Sequence, residues 1–211
     1  KFLQRYPYLL SEEIIFNKLS NEQNNSKPIQ KRIKRIADIV LSLFIIFICS
    51  PIIFICCIAI YLEDQGPFFY SQERSGLNGK KIKIYKLRSM KVTAENNGAQ
   101  WAQQNDHRIT KVGNLIRLTR LDELPQLISV IRGDMSLIGP RPERPEIEEK
   151  FGLVSPIYLL RYSVTPGLSG WAQVNFRYGA SANDAITKLS FDLYYTENFS
   201  IWIDFLIFFK T

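Results

Sequence analysis

The sequence predicts an α+β fold, mostly helical, in which a membrane-inserted segment precedes one domain with a small β-hairpin and interfacial amphipathic helices. Three observations carry that prediction. From Ile39 to Leu62, 24 consecutive residues have no formal charge, and at about 1.5 Å per helical residue such a run crosses a bilayer core of about 30 Å. Between Gly66 and Met90, two alternating apolar/polar segments flank SGLNGK, the pattern of strand, turn and strand. Further on, apolar residues recur at helical spacing, and the chain ends on FSIWIDFLIFFKT, whose aromatic density suits a membrane interface.

Two features complicate the apolar run. Lys27, Lys31, Arg32, Lys34 and Arg35 precede it, while Arg74, Lys80, Lys81, Lys83, Lys86, Arg88 and Lys91 follow it. Basic residues mark the cytoplasmic side, and here both flanks claim it. Ser50-Pro51 also divides the run into two arms of 11 residues, each only about 16 Å long as helix. Proline removes one helical hydrogen bond, and the Ser50 hydroxyl is placed to occupy the freed carbonyl. A hairpin that enters and leaves by one face satisfies both features; a Pro-kinked spanning helix is the alternative.

Composition narrows the function classes. The formal charge is +7, and its excess lies around the apolar run, which favours anionic lipid and phosphorylated substrate over nucleic acid. The three cysteines all sit inside that run, so they read as small hydrophobes and not as a disulfide framework. His107 is the single histidine, which leaves a Ser/His/Asp triad or a histidine-rich metal site without support. No Walker or Rossmann motif is present.

The boundaries follow from these shifts. Residues 1–30 end in the linker-like SNEQNNSKPIQ, lack the pattern of a signal peptide, and read as the tail of a further region. Residues 31–65 form the membrane segment, and 66–211 the domain. Within the domain, KIKIYKLRSM should bury one side and turn Lys81, Lys83 or Lys86 elsewhere. Residues 92–108 read as a mobile loop. NLIRLTRLDELPQLISVIRGD reads as helix, break and helix, with Gly133 as the stop. DMSLIGPRPERPEIEEKF reads as a proline-stiffened loop and a short acidic helix, SVTPGLSGWAQVNFRYG as strand, glycine turn and strand, and the rest, from about Asn183, as helical.

Within RLDELPQL, Asp122 and Glu123 stand where a helix should start. Asp122 is open to two readings there. It can be a plain N-cap with Glu123 favoured by the helix dipole. It can equally be a nucleophile toward phosphorus, because free N–H groups at a helix start stabilise phosphate and aspartate is an established covalent nucleophile. Lys86, Arg88, Arg117, Arg120 and Arg141 lie in segments that can converge on such a centre, with surface solvation as the alternative for each alone. Glu123 is suited to holding a divalent cation or managing protons, since Mg²⁺ needs few protein oxygens when a diphosphate supplies the others.

The basic flank, the Ser50-Pro51 hairpin, KIYKLRSM, LDELPQL, GDMSLIGPRP, TPGLSGWAQVN and FDLYYTENFSIWID together resemble the bacterial sugar transferase family, from about Lys31 to Thr211. Its monotopic members are polyprenyl-phosphate glycosyl-1-phosphate transferases that start exopolysaccharide, O-antigen and other glycoconjugate assembly. The resemblance implies a re-entrant helix and a catalytic domain on the cytoplasmic face of the bacterial inner membrane. It implies that Asp122, helped by Glu123, attacks the β-phosphate of a UDP-sugar, expels UMP and holds a sugar-phosphate that a polyprenyl (undecaprenyl) phosphate then takes. Pro140, Arg141 and Pro142 resemble the nucleotide-binding loop, and Arg117 a phosphate-contacting arginine. Lys86, Arg88, Asn175 and Arg177 join them as substrate-binding residues, with Asp192 organising the site. Mg²⁺ on Asp122 and Glu123 is the implied cofactor. The implied partners are the UDP-sugar, the lipid phosphate and membrane lipid, with a homodimer considered and nucleic acid excluded. Phe176 stands where many relatives have glycine, as in larger members, which leaves the sugar open. A non-catalytic membrane adaptor that binds anionic lipid and a protein partner is the competing reading.

Overall fold

In the computed structural model, residues 28–94, 106–146, 156–176 and 182–211 are described. The expected tail up to residue 27, most of the expected 92–108 loop, the acidic segment beyond Glu146, and Arg177 lie outside them.

The apolar run folds as helix α1, Pro28–Glu63, 36 residues long, or about 54 Å at the usual rise. The expected break at Ser50-Pro51 does not interrupt it. Proline at 51 leaves the Phe47 carbonyl without its helical donor, and the Ser50 hydroxyl donates to that oxygen at 2.9 Å. A local substitute thus lets the helix continue. Most of its apolar surface faces outward, with Phe47 79% and Leu62 78% exposed.

Both ends of α1 are bonded to the same body. Near the start, Lys34 pairs with Asp204 at 2.7 Å. Arg35 donates to the Val130 and Ile131 carbonyls, and Asp38 accepts from Ser136 Oγ at 2.7 Å and Leu137 N at 3.2 Å. At the other end, Glu63 accepts from the backbone N–H groups of Lys111 and Val112 at 2.7 and 2.8 Å.

The hairpin pairs β1, Phe69–Ser75, antiparallel with β2, Lys81–Leu87, from Phe69↔Leu87 to Ser75↔Lys81. Strand alternation buries Ile82 and Ile84 and turns Lys81 and Lys83 outward. Asn78 supplies the left-handed turn residue at φ 55°.

The predicted helix, break and helix are α2, Lys111–Leu118, a 3₁₀ segment, Leu121–Gln126, and α3, Leu127–Arg132. Thr110 caps α2 by accepting from Gly113 N. Gly133, at φ 96°, closes α3 as the left-handed cap that glycine favours. The chain then forms β3, Ser136–Ile138, which pairs in parallel with β4, Gly167–Ser169. Their ends approach so closely that a Cβ on Gly167 would lie 2.0 Å from the backbone nitrogen of Gly139. A second 3₁₀ segment, Pro156–Ser163, comes between them in sequence.

The strand expected after the TPGLSG turn is instead a short helix, α4, Trp171–Asn175. Its five residues are too few to display a helical period, and the glycines before it mimic a hairpin turn. Helices α5, Ala182–Glu197, and α6, Ile201–Lys210, complete the chain, with Ser200 capping α6 through Ile203 N.

The main core joins Ile82 and Ile84 of β2, Leu127 and Val130 of α3, Leu137 and Ile138 of β3, Tyr195 of α5 and Ile207 of α6. Ile45 and Ile46 of α1 pack against it. A second cluster joins Ile60 of α1 to Leu87 and Ile116. Fully burying side chains of this size stabilises by about 1.5–3 kcal/mol each, so the ends of β2 and the start of the 3₁₀ segment sit on a firm base.

Candidate active site

The Asp-Glu pair lies in the first turn of the 3₁₀ segment and not at its cap. The capping position is Arg120, which has φ 56° and makes no side-chain cap. A left-handed arginine costs about 1–2 kcal/mol, and strain of this kind clusters where geometry is functionally constrained. The N-cap reading of Asp122 is therefore set aside.

Asp122 is buried, 8% exposed, and among the described residues its carboxylate has no hydrogen-bond or ion-pair partner. Burial raises its carboxyl above the ordinary value of 3.8, and the Glu123 charge adds to that, while Lys86, Arg117 and Arg141 pull it down. An unpaired buried carboxylate costs stability, so the surrounding cations are what make the ionised form tolerable.

Glu123 has the opposite character. Lys86 donates to its Oε1 at 2.8 Å, Arg141 Nη1 to its Oε2 at 3.2 Å, and Arg141 Nη2 to its Oε1. Burial alone would raise this carboxyl, but Arg141 and then Lys86 bring it from 4.5 down to about 2. Glu123 is thus fully ionised and already engaged by two cations.

The other sequence-predicted residues divide. Lys86 reaches the pair because strand alternation puts it on the face of β2 that carries the buried Ile82 and Ile84, where it is half-buried. Arg141 reaches it from the loop after β3, also donating to the Leu168 carbonyl at 3.1 Å. Arg117, on α2, donates through Nε to Ser89 Oγ at 2.8 Å and acts on Asp122 through its charge. Pro140 and Pro142 flank Arg141 in a loop without backbone N–H donors at those two positions. Arg88 turns away: it is buried against the end of α1, bonded to the Asp64 carbonyl and 3.9 Å from its carboxylate. Asn175 is exposed and bonds the Trp171 carbonyl of its own helix at 2.9 Å. Asp192 is buried and paired with Arg161 at 2.7 Å, and burial raises its carboxyl while Arg161 opposes.

Arg161 and Ser89 are the partners that the sequence reading missed. Neither stands in a pattern that spacing could single out.

No group of three or more His, Cys, Asp or Glu side chains converges among the described residues. A metal cage supplied by protein alone is therefore not formed there. The carboxylates do fit a hard cation that takes most of its oxygens from phosphate and water: Asp122 has both oxygens free, whereas Glu123 would have to relinquish a cation.

A family model described as bacterial sugar transferase matches residues 29–211. The chain belongs to the bacterial sugar transferase family. It is 47% identical over 184 residues to a UDP-N-acetylgalactosamine-undecaprenyl-phosphate N-acetylgalactosaminephosphotransferase of Aeromonas hydrophila, covering 87% of this chain and 44% of that one. It is 43% identical over 189 residues to a UDP-glucose:undecaprenyl-phosphate glucose-1-phosphate transferase of Escherichia coli, covering 87% and 40%. It is 36% identical to an undecaprenyl-phosphate galactose phosphotransferase of Salmonella typhimurium, covering 97% and 44%. This sugar transferase chain thus spans less than half the length of these relatives.

Proposed function

We propose that the protein transfers a sugar-1-phosphate from a UDP-sugar to undecaprenyl phosphate through a covalent Asp122 intermediate, releasing UMP. The observation that carries this reading is Asp122 itself, a buried carboxylate without a partner beside Lys86, Arg117 and Arg141. Family membership supports the reaction class, and the names of the three relatives support the lipid acceptor. Those names differ in the sugar, so the proposal stops at UDP-sugar.

In the first step an Asp122 oxygen forms a bond to the β-phosphorus, and the bond from that phosphorus to the bridging oxygen breaks. UMP leaves with the bridging oxygen. Arg117 and Arg141 are the groups to bind and neutralise the phosphate oxygens. In the second step an oxygen of the lipid phosphate attacks the same phosphorus, and the Asp122 carboxylate departs. Ionised Glu123 holds Lys86 and Arg141 in place and so orients the donors. Mg²⁺ held at Asp122 and Glu123 would neutralise charge on the diphosphate.

Topology belongs to the same proposal. The two ends of α1 bond to one body, which supports re-entry at one face over crossing. Placing that face on the cytoplasmic side of the inner membrane puts Asp122 where nucleotide sugars are, near the depth of a lipid phosphate. Exopolysaccharide or O-antigen initiation is the process that such a product serves.

The test is UMP release from a panel of UDP-sugars with Mg²⁺ and no lipid acceptor, read with intact-protein mass. The expected result is a stoichiometric burst with a matching sugar-phosphate adduct, both lost in Asp122→Asn. Turnover retained by Asp122→Asn would refute the covalent step. No release, no adduct, and no turnover with lipid acceptor would favour the adaptor reading instead.

A further inference from the structure

The loop that carries Arg141 is held in an unusual way. Four successive carbonyls accept hydrogen bonds from three different parts of the chain. Gly167 N of β4 donates to Pro140 O at 2.9 Å. Arg161 Nη2 donates to Arg141 O at 2.9 Å, Arg74 Nη1 to Pro142 O at 3.3 Å, and Ser75 N to Glu143 O at 3.0 Å. The prolines at 140 and 142 cannot donate, so this loop cannot stabilise itself by turns through those positions. Its shape depends on donors from outside.

Arg161 is suited to such a task. Its side chain is 6% exposed, its Nη2 lies 2.7 Å from an Asp192 oxygen, and its Nη1 donates to the Tyr158 hydroxyl at 2.7 Å. The guanidinium also lies over the Tyr158 and Tyr162 rings, 5.1 and 5.5 Å from their centroids. Arg74, at the end of β1, is oriented by Gln72 Oε1 at 2.7 Å and by Glu143 at 3.8 Å. Planar forks fixed at several points resist rotation.

We propose that Arg161, backed by Asp192, and Arg74 are positioning residues that hold the 140–143 loop by its carbonyls and so keep the Arg141 guanidinium on Glu123. Neither touches the reacting atoms; both act through Arg141. The kinetic consequence rests on the phosphotransfer proposed above, but the geometric one does not.

The test is a double-mutant cycle on unfolding stability, using the full chain in detergent micelles. Coupling between Arg141→Ala and Glu123→Gln is measured in the otherwise unaltered chain, in Arg161→Lys and in Arg74→Gln. Lysine keeps a charge for Asp192 but cannot also span Tyr158 and the Arg141 carbonyl. The expected result is that the coupling falls by more than half in each background, while the coupling of Lys34→Ala with Asp204→Asn is unchanged. Arg74→Gln sits nearer the surface and serves if Arg161→Lys does not fold. Full coupling retained in a folded background overturns the proposal. In UMP-release assays, Arg74→Gln should raise the UDP-sugar KM about tenfold with a smaller effect on kcat, as expected when Arg141 binds the diphosphate less well in ground and transition state alike. A KM unchanged despite lost coupling would overturn the reaction role. No release by the unaltered chain would refute the phosphotransfer and leave the coupling result standing.

Discussion

Replacing Glu123 by glutamine tests the electrostatic account of the site most directly. The folded protein holds this carboxyl at about 2 against an ordinary 4.5, and each pH unit of such a gap corresponds to about 1.4 kcal/mol. The upper figure is about 3.5 kcal/mol of stability at neutral pH. Arg141, one of the two partners, is 37% exposed, and solvent screening at that end reduces the expectation to about 2 kcal/mol. The sign follows from a depressed acid: the stabilisation is complete above about 4.5 and disappears as pH falls from there toward about 2. Asp122, whose carboxyl is raised, contributes with the opposite sign, so the comparison belongs in an Asp122→Asn background. Thermal unfolding followed by tryptophan fluorescence in micelles should place Asp122→Asn/Glu123→Gln about 2 kcal/mol below Asp122→Asn at pH 7, with the difference reduced to roughly a quarter of that at pH 2.5. A difference independent of pH would mean that the cost of Glu123→Gln is steric and that the two cations do not hold the carboxylate as described.

Gly167→Ala should destabilise by at least about 2 kcal/mol in the same assay, because its Cβ would meet Gly139 backbone at 2.0 Å; an unchanged melting temperature would contradict the close crossing of β3 and β4. Arg120→Gly should stabilise by about 1 kcal/mol by relieving the left-handed backbone at φ 56°, and a loss of stability would show that the arginine side chain contributes more than its strain costs. For the re-entrant topology, single labels from Lys31→Cys and Lys80→Cys in a chain lacking Cys49, Cys56 and Cys57 should react from the same side of sealed vesicles. Reaction from opposite sides would establish a spanning helix.

Local chemistry was legible in the sequence, and long-range pairing was not. Alternation placed the hairpin and the outward lysines 81 and 83, and the apolar spacing with Gly133 placed α3 and its stop. The Ser50 hydroxyl was foreseen as the substitute donor because proline, the freed carbonyl and the serine all lie within one helical turn. The cationic set was foreseen by residue type, yet Arg88 faces Asp64 at the end of α1 while Lys86 faces Glu123. Alternation puts Lys86 on the face of Ile82 and Ile84, whereas β2 ends at Leu87, so Arg88 lies beyond the strand, where alternation no longer sets a side chain's direction. Arg161 reaches the carbonyl of Arg141, 20 residues away, and no periodicity reports which loops meet. The helix at Trp171–Asn175 escaped because a single turn leaves no pattern to read.

The long apolar helix α1 is also part of the site's scaffold, because its ends secure different halves of the site. Asp38 bonds Ser136 and Leu137 of β3, the strand that leads directly into Pro140-Arg141-Pro142. Glu63 bonds the first two N–H groups of α2, the helix that carries Arg117 toward Asp122. With Thr110 N donating to the Ser89 carbonyl at 3.2 Å and Thr110 Oγ1 accepting from Gly113 N, all four orphan N–H groups at the start of α2 are satisfied. This end of α2 is therefore tied to α1 and not to water. Bending α1 at Ser50-Pro51 changes the separation of Asp38 and Glu63, and with it the distance between the strand behind Arg141 and the helix behind Arg117. Under the one-face insertion proposed above, any bend at Ser50-Pro51 is thus also a geometric constraint on the two cations beside Asp122.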